Sequence, residues 1–219
     1  MTLNRDGVDP GYIPTVTSAR ILLVRHGEST WNAAARWQGR ADPPLTDAGQ
    51  RQAASAAEVI GALDAIVASP LQRAHHTAVI LSEFIGVGPV LLDERLVERD
   101  AGEWTGLTVA EIDQRFPGDR RAGRTPRGWE SDETLLERVL PALAELGEDF
   151  AGGSVLAVTH GGVIFTLSRH LSGEATRIPN LGAQWVDIGP DATMRLGDRV
   201  PLLAEHGQLP PVSDVSEQV

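Results

Sequence analysis

Two histidines in one repeated setting are the residues of this chain best placed to do chemistry. His26 lies in Arg25-His26-Gly27-Glu28-Ser29-Thr30, directly after the apolar run Ile21-Leu22-Leu23-Val24. His160 opens His160-Gly161-Gly162, directly after Val155-Leu156-Ala157-Val158-Thr159. An imidazole can attack as a nucleophile near neutral pH, and glycine lets backbone approach an anion. Each histidine alone reads equally well as an incidental loop residue, and it is the repeated context that argues for a phosphate pocket built around an attacking imidazole. A phosphomonoester dianion repels anionic nucleophiles, so a neutral imidazole flanked by cations suits it. That assigns attack to His26, whose other nitrogen is expected to donate to a backbone carbonyl and so hold the tautomer.

Such residues need elements to position them. Short apolar runs predict strands at Arg20 to Val24, Ala65 to Ala68, Val90 to Leu92 and Ser154 to Thr159. Helical spacing predicts helices from the cap Thr46-Asp47 to Leu63, over Leu71 to Gly86, Thr108 to Phe116 and Ser131 to Phe150. Pro141 falls inside the last of these and is expected to kink it or start a new segment. Trp185 to Ile188 and Thr193 to Leu196, around Gly189-Pro190-Asp191-Ala192, read as an antiparallel hairpin on the sheet edge. Alternating strands and helices imply an α/β fold, a three-layer α/β/α sandwich with a mostly parallel central sheet. In such sheets ligands gather at the strands' carboxyl ends, where both histidines would lie.

The chain's 219 residues fit one domain, expected over 20–199, with an extended or disordered segment at 1–19 and a tail at 200–219. A formal net charge of -11 argues against nucleic acid and anionic membrane as partners, so local arginines must hold any anionic substrate. All basic residues apart from histidine are arginines; with no lysine, a P-loop lysine and a Schiff base are excluded, while the guanidinium fork still suits phosphate. Without cysteine there is no disulfide, thiolate zinc site or cysteine-phosphatase chemistry. No apolar run approaches a membrane span and Met1 to Arg20 lacks a signal core, so the cytoplasm is the expected location.

Further motifs follow in order. Trp31-Asn32, Arg36, Gln38-Gly39, Asp42, Leu45-Thr46, Gly49 and Gln52-Ala53 come after the first histidine. Then come Ser69-Pro70-Leu71-Gln72-Arg73 with Thr77-Ala78; Leu96, Glu98, Gly102, Trp104 and Gly106-Leu107-Thr108; Glu130-Ser131 with Arg138-Val139; and His160-Gly161-Gly162. Together, from Arg20 to Arg199, they resemble the histidine phosphatase superfamily, the phosphoglycerate-mutase-like family. The resemblance implies a phosphohistidine at His26, with Arg25 and Arg73 gripping phosphate oxygens and His160 adding a hydrogen bond or charge. It puts Glu98 at the acid position, protonating the leaving group and then activating water. Asn32, Gln38, Gly39 and the backbone of Gly27 and Gly161 would complete the cradle. Neither metal nor other cofactor is implied, and the partner is a small phosphomonoester.

Glu28, Glu94, Asp100 and Glu103 read as structural or rim carboxylates. His75 and His76 are adjacent on a helix and point apart, so they make no metal face. Trp104 and Trp129 lie in loops near the expected pocket, and Arg120, Arg121, Arg124 and Arg127 form either a solvated loop or a lid. The acid loop VERDAGEWTGLTVAEI is similar to broad phosphatases of the family and departs from the mutase pattern, as does the absence of lysine. A phosphatase is therefore expected; the alternatives are a cofactor-dependent phosphoglycerate mutase and a non-catalytic phosphoester-binding module. The phosphatase requires nucleophile, acid and clamps together, and all are present.

Overall fold

The computed structural model describes residues 19–203. The expected extended ends lie outside the described residues, apart from Ala19 and the stretch 200–203, which belong to the sheet and its core. Six strands form one sheet in the order β3-β2-β4-β1-β5-β6. Four neighbouring strands, β1 (Ala19–Arg25), β2 (Ala65–Ala68), β3 (Leu91–Leu92) and β4 (Ser154–Thr159), pair in parallel with β3 at the edge, and the hairpin β5 (Gly182–Ile188) and β6 (Met194–Pro201) adds two antiparallel strands beyond β1. The sheet is therefore mostly parallel, with the hairpin at one edge as its sequence pattern predicts.

Alternation along β1 divides the core into two halves, because successive side chains face opposite sides of a strand. Ile21 and Leu23 pack with α5 (Asp132–Asp149) and α6 (Gly161–Ser172), whereas Leu22 and Val24 pack with α2 (Asp47–Ala57) and α3 (Gln72–Ile85). A third cluster, of Trp37, Ala101, Trp104, Leu107 and Ile112, packs α4 (Val109–Arg115) and the long loops. A short helix, α1 (Thr30–Ala33), is capped by Ser29.

One helix ends earlier than expected, one runs past its proline without starting a new segment, and one was not expected. Helix α2 stops at Ala57, well short of Leu63, because its buried stripe of Gly49, Ala53, Ala56 and Ala57 ends there and Val59 is already 61% exposed. Helix α5 continues through Pro141 as one segment. The proline ring takes the exposed face, so the helix loses one backbone hydrogen bond and keeps its apolar stripe against the sheet. Finally, Gly161 and Gly162 open the full helix α6; their poor helix propensity conceals it in the sequence.

Candidate active site

The site follows from strand register. Arg25 on β1 lies level with Thr159 on β4, so the next residues, His26 and His160, leave the sheet side by side; the His26 amide donates to the Thr159 carbonyl at 3.0 Å. Their rings meet edge to face with centroids 5.2 Å apart. Strand β2 flanks β4 on its other side, and the first turn of α3 brings Arg73 over the same end of the sheet. Three adjacent parallel strands thus deliver His26, His160 and Arg73 to one place.

His26 is held as the tautomer that leaves Nε2 unprotonated. Its Nδ1 donates to the Gly27 carbonyl at 2.6 Å, and Arg73 Nε donates to its Nε2 at 3.3 Å. The remaining Arg73 nitrogens donate to the carbonyls of Ala41 (2.7 Å) and Gly39 (2.9 Å). Gly39 has φ of 50°, where glycine is favoured, and a Cβ there would press on the Ala101 backbone. Burial lowers the Arg73 pKa to about 10, which leaves it cationic at neutral pH. Arg25 donates to the Ile178 carbonyl at 2.8 Å, and Asn180 holds the His26 carbonyl at 2.8 Å.

Burial first, and then the charges of Arg73 and Arg25, push the His26 pKa well below the ordinary histidine value. Burial, Arg73 and His26 do the same to His160. Both rings are neutral at pH 7 as a result. The sign for stability follows: below about pH 6.5 the unfolded chain protonates these histidines and the folded chain does not, so folding weakens as pH falls, by up to ~1.4 kcal/mol per pH unit per ring until the folded value is reached. We expect unfolding at pH 5.5 to take up protons that unfolding at pH 7.5 does not. Calorimetry in buffers of different ionisation enthalpy checks this, with a smaller uptake expected in His160→Gln.

Glu98 enters from the loop after β3, following a 3-10 turn over Glu94–Leu96. Its Oε1 accepts from the Arg99 amide at 2.7 Å and its Oε2 from the Gly162 amide at 3.1 Å. A Cβ at Gly162 would displace the Glu98 carboxylate from this position. Arg138 fastens the loop from behind, donating to the carbonyls of Arg95 (2.6 Å) and Glu98 (3.3 Å) while pairing with buried Glu130 at 2.8 Å.

Arg25, His26, Asn32, Gln38, Gly39, Arg73, Glu98 and Gly161 line one cleft, joined by Arg36, Trp37, Arg99 and Trp129. Asn32 Oδ1 accepts from the Ser29 amide at 3.1 Å and Gln38 Oε1 from the Ser29 hydroxyl at 2.7 Å, which turns both amide nitrogens away from Ser29. Two expected residues do not line the cleft: His160, whose ring packs edge to face against His26, and Gly27, whose N–H is taken by Thr77 at 3.0 Å and whose carbonyl is taken by His26. The small size of Gly27 serves close packing, because a Cβ would come within 2.7 Å of the Gly49 carbonyl. Two buried nitrogens beside this site, Arg25 Nε and His160 Nδ1, have no hydrogen-bond partner among the described residues. Buried polar groups without a partner are rare in folded proteins.

The peripheral residues sort themselves. Trp129 faces the cleft, but Trp104 is buried against Trp37 and Trp129 with ring centroids 5.5 and 5.7 Å away. Arg120, Arg124 and Arg127 pair with Asp113, Asp119 and Glu103, and neither they nor Arg121 line the cleft. Glu28 receives the Thr46 hydroxyl, and Asp100 accepts from the Gly102 amide. Arg99, Trp37 and Asn180 were not legible in the sequence as site residues; only Arg99, beside Glu98, carried any signal. Among the described residues, no group of three or more histidine or acidic side chains is arranged to hold a metal ion.

Comparison with known proteins decides the family, because residues 21–186 match the histidine phosphatase superfamily (branch 1). The chain belongs to that superfamily. Among its relatives, glucosyl-3-phosphoglycerate phosphatase of Mycolicibacterium vanbaalenii is 38% identical over 188 residues, covering 77% of this chain and 83% of the relative. The protein of the same name from Mycobacterium tuberculosis is 41% identical over 69% of this chain and 74% of its own length. The solved structure of a mycobacterial glucosyl-3-phosphoglycerate phosphatase with VO3 superposes with a TM-score of 0.74 at 35% identity, covering 81% of this chain and 96% of that one. Bacillus stearothermophilus YhfR gives a TM-score of 0.75 at 28% identity, covering 87% and 100%. The six-stranded, mostly parallel sheet is thus the fold of this histidine phosphatase's relatives, and among the described residues no helix is long and apolar enough to cross a membrane.

Proposed function

We propose that this histidine phosphatase hydrolyses a small phosphorylated sugar or sugar acid through a phosphohistidine, using one domain over residues 20–199. The observation that carries the reading is the His26 environment: an Nε2 lone pair facing Arg73, beside Arg25 with a free Nε, across a cleft from Glu98. His26 Nε2 attacks phosphorus as the bond to the leaving oxygen breaks, and the Glu98 carboxyl gives that oxygen its proton. Glu98, now a carboxylate, takes a proton from water; the water oxygen attacks phosphorus, the phosphorus–nitrogen bond breaks, and His26 is restored. Arg25, Arg73 and His160 hold the equatorial oxygens, each such donor contributing ~100-fold to ~1000-fold in rate. Asn32 and Gln38 supply neutral donors, and the Gly39 carbonyl and Gly161 shape the wall.

The names of the relatives support a sugar-acid phosphoester as substrate; Arg36 and Arg99 also line the cleft, where they are paired with Glu111 and Asp132. A phosphate-release screen across glucosyl-3-phosphoglycerate, phosphoglycerates, sugar phosphates, nucleotides and phosphopeptides tests the reading. The expected result is preference for the small sugar-acid esters without bisphosphate priming. Interconversion of 2- and 3-phosphoglycerate after priming would replace it with a mutase, and tight retention of phosphoesters without release would replace it with a binding module.

A further inference from the structure

One buried hydroxyl that the reaction does not use stands beside His160. Ser69 directly follows β2, is fully buried, and its Oγ lies 2.8 Å from His160 Nε2. The same oxygen accepts from the Leu71 amide at 3.4 Å. Among the described residues, no other hydrogen-bond partner of this hydroxyl is present, so the serine hydrogen has a single acceptor in reach, the Nε2 lone pair. The opposite arrangement, with Nε2–H donating to Oγ, would strand the serine hydrogen and also leave a bare Nδ1 lone pair buried in an anion site. Stranding two polar groups is the costlier state.

We propose that Ser69 is a positioning residue that keeps the single proton of neutral His160 on Nδ1, the atom that donates to the transferring phosphoryl group. This rests on reading His160 as a phosphate contact. Nδ1 is buried without a protein partner and its ring stands against His26, so a phosphoryl oxygen bound at His26 supplies the acceptor it lacks. The serine thereby does for His160 what the Gly27 carbonyl does for His26: each backs one ring nitrogen and so determines what the other presents. His26 presents a lone pair to phosphorus, and His160 presents a hydrogen to a phosphoryl oxygen. The depressed basicity of His160 makes the device necessary, because a ring that carries only one proton donates from the correct edge only if that proton is placed there.

Long-range proton–nitrogen correlation spectra of the full chain labelled with nitrogen-15 histidine test this, with the His160 signals identified by their loss in His160→Gln. The expected pattern at pH 7.5, free and with orthophosphate, is a protonated Nδ1 and an unprotonated Nε2; a protonated Nε2 in the wild type would overturn the proposal. In Ser69→Ala the His160 pattern is expected to become a tautomer mixture, with kcat for phosphate release falling roughly 10-fold to 100-fold, as for loss of one buried hydrogen bond, while KM stays within about threefold. Ser69→Thr, which keeps the hydroxyl, restores both the pattern and kcat. An unchanged Nδ1-protonated pattern in Ser69→Ala would overturn the role of Ser69 while leaving the phosphatase reading intact. Absence of phosphate release by the wild type would count against that reading and leave the tautomer test standing.

Discussion

Replacing His26 with alanine is expected to lower phosphate release by ~10⁴-fold or more on every substrate, activated or not. The size follows from its position: a nucleophile that forms the covalent intermediate removes the whole pathway when deleted, and what remains comes from the surrounding donors. The neighbours amplify the loss, because Arg73 uses Nε to address His26 Nε2 and the two rings pack edge to face. Alanine leaves a hole in a phosphate cradle whose cations are intact. Binding of orthophosphate should therefore survive in His26→Ala within about tenfold, since Arg25 and Arg73 supply most of the charge. Steady-state phosphate release with glycerol phosphates and p-nitrophenyl phosphate checks the first statement, and titration calorimetry the second. Unchanged turnover would remove His26 from the mechanism.

The second large effect belongs to Glu98→Gln, and its pattern is more informative than its size. As a general acid Glu98 assists departure of a poor alkoxide, so phosphorylation of His26 by alkyl phosphates should slow by ~10²-fold to ~10⁴-fold. An activated aryl leaving group needs no proton, and its first step should be nearly unaffected. Release of phosphate from His26 needs the same residue as a base, so this second step slows for every substrate. The mutant should consequently give a rapid burst of p-nitrophenol close to one per active site, followed by slow turnover, when mixed in stopped flow with p-nitrophenyl phosphate. Equal slowing of the burst with aryl and alkyl esters would point to a different acid. The glutamine also keeps the contacts of the carboxylate with the Arg99 and Gly162 amides partly satisfied, so its effect reads the proton and not the fold.

Much of this site is visible in the chain because its main members sit at the ends of the most regular elements. The apolar runs before His26 and His160 become β1 and β4, both almost wholly buried, and an ionisable residue that ends a buried parallel strand has few places to go. The helix after β2 likewise starts within a residue of its expected boundary, which puts Arg73 in its first turn. The supporting contacts are another matter. Asn180 grips His26 across 154 positions and Ser69 reaches His160 across 91, and both contacts exist only once the order β2-β4-β1 and the strand registers are in place. Local pattern carries no trace of such pairings.

The errors have local physical causes. Gly161-Gly162 carries no helical signal, yet the pair starts α6, where the Gly162 amide meets Glu98 with no side chain in its way. Pro141 reads as a kink or the start of a new segment, and α5 runs through it as one segment because on the exposed face it costs one hydrogen bond while the buried stripe of Leu135, Val139, Ala142, Leu143 and Leu146 holds the helix to the sheet. Gly27 reads as part of the phosphate cradle, yet its backbone is consumed by Thr77 and His26. Tertiary demands decided each case over local propensity.

The central claim is that phosphorus becomes bonded to His26 Nε2 during turnover. Rapid mixing of Glu98→Gln with phosphorus-32-labelled p-nitrophenyl phosphate, quenching in alkali within a second and mapping the labelled peptides by mass tests it most directly. The account predicts close to one acid-labile phosphoryl group per chain, carried by the peptide containing His26 and absent in His26→Ala. Label on another residue, or full phosphate release with no protein-bound phosphorus at any time point, would contradict it.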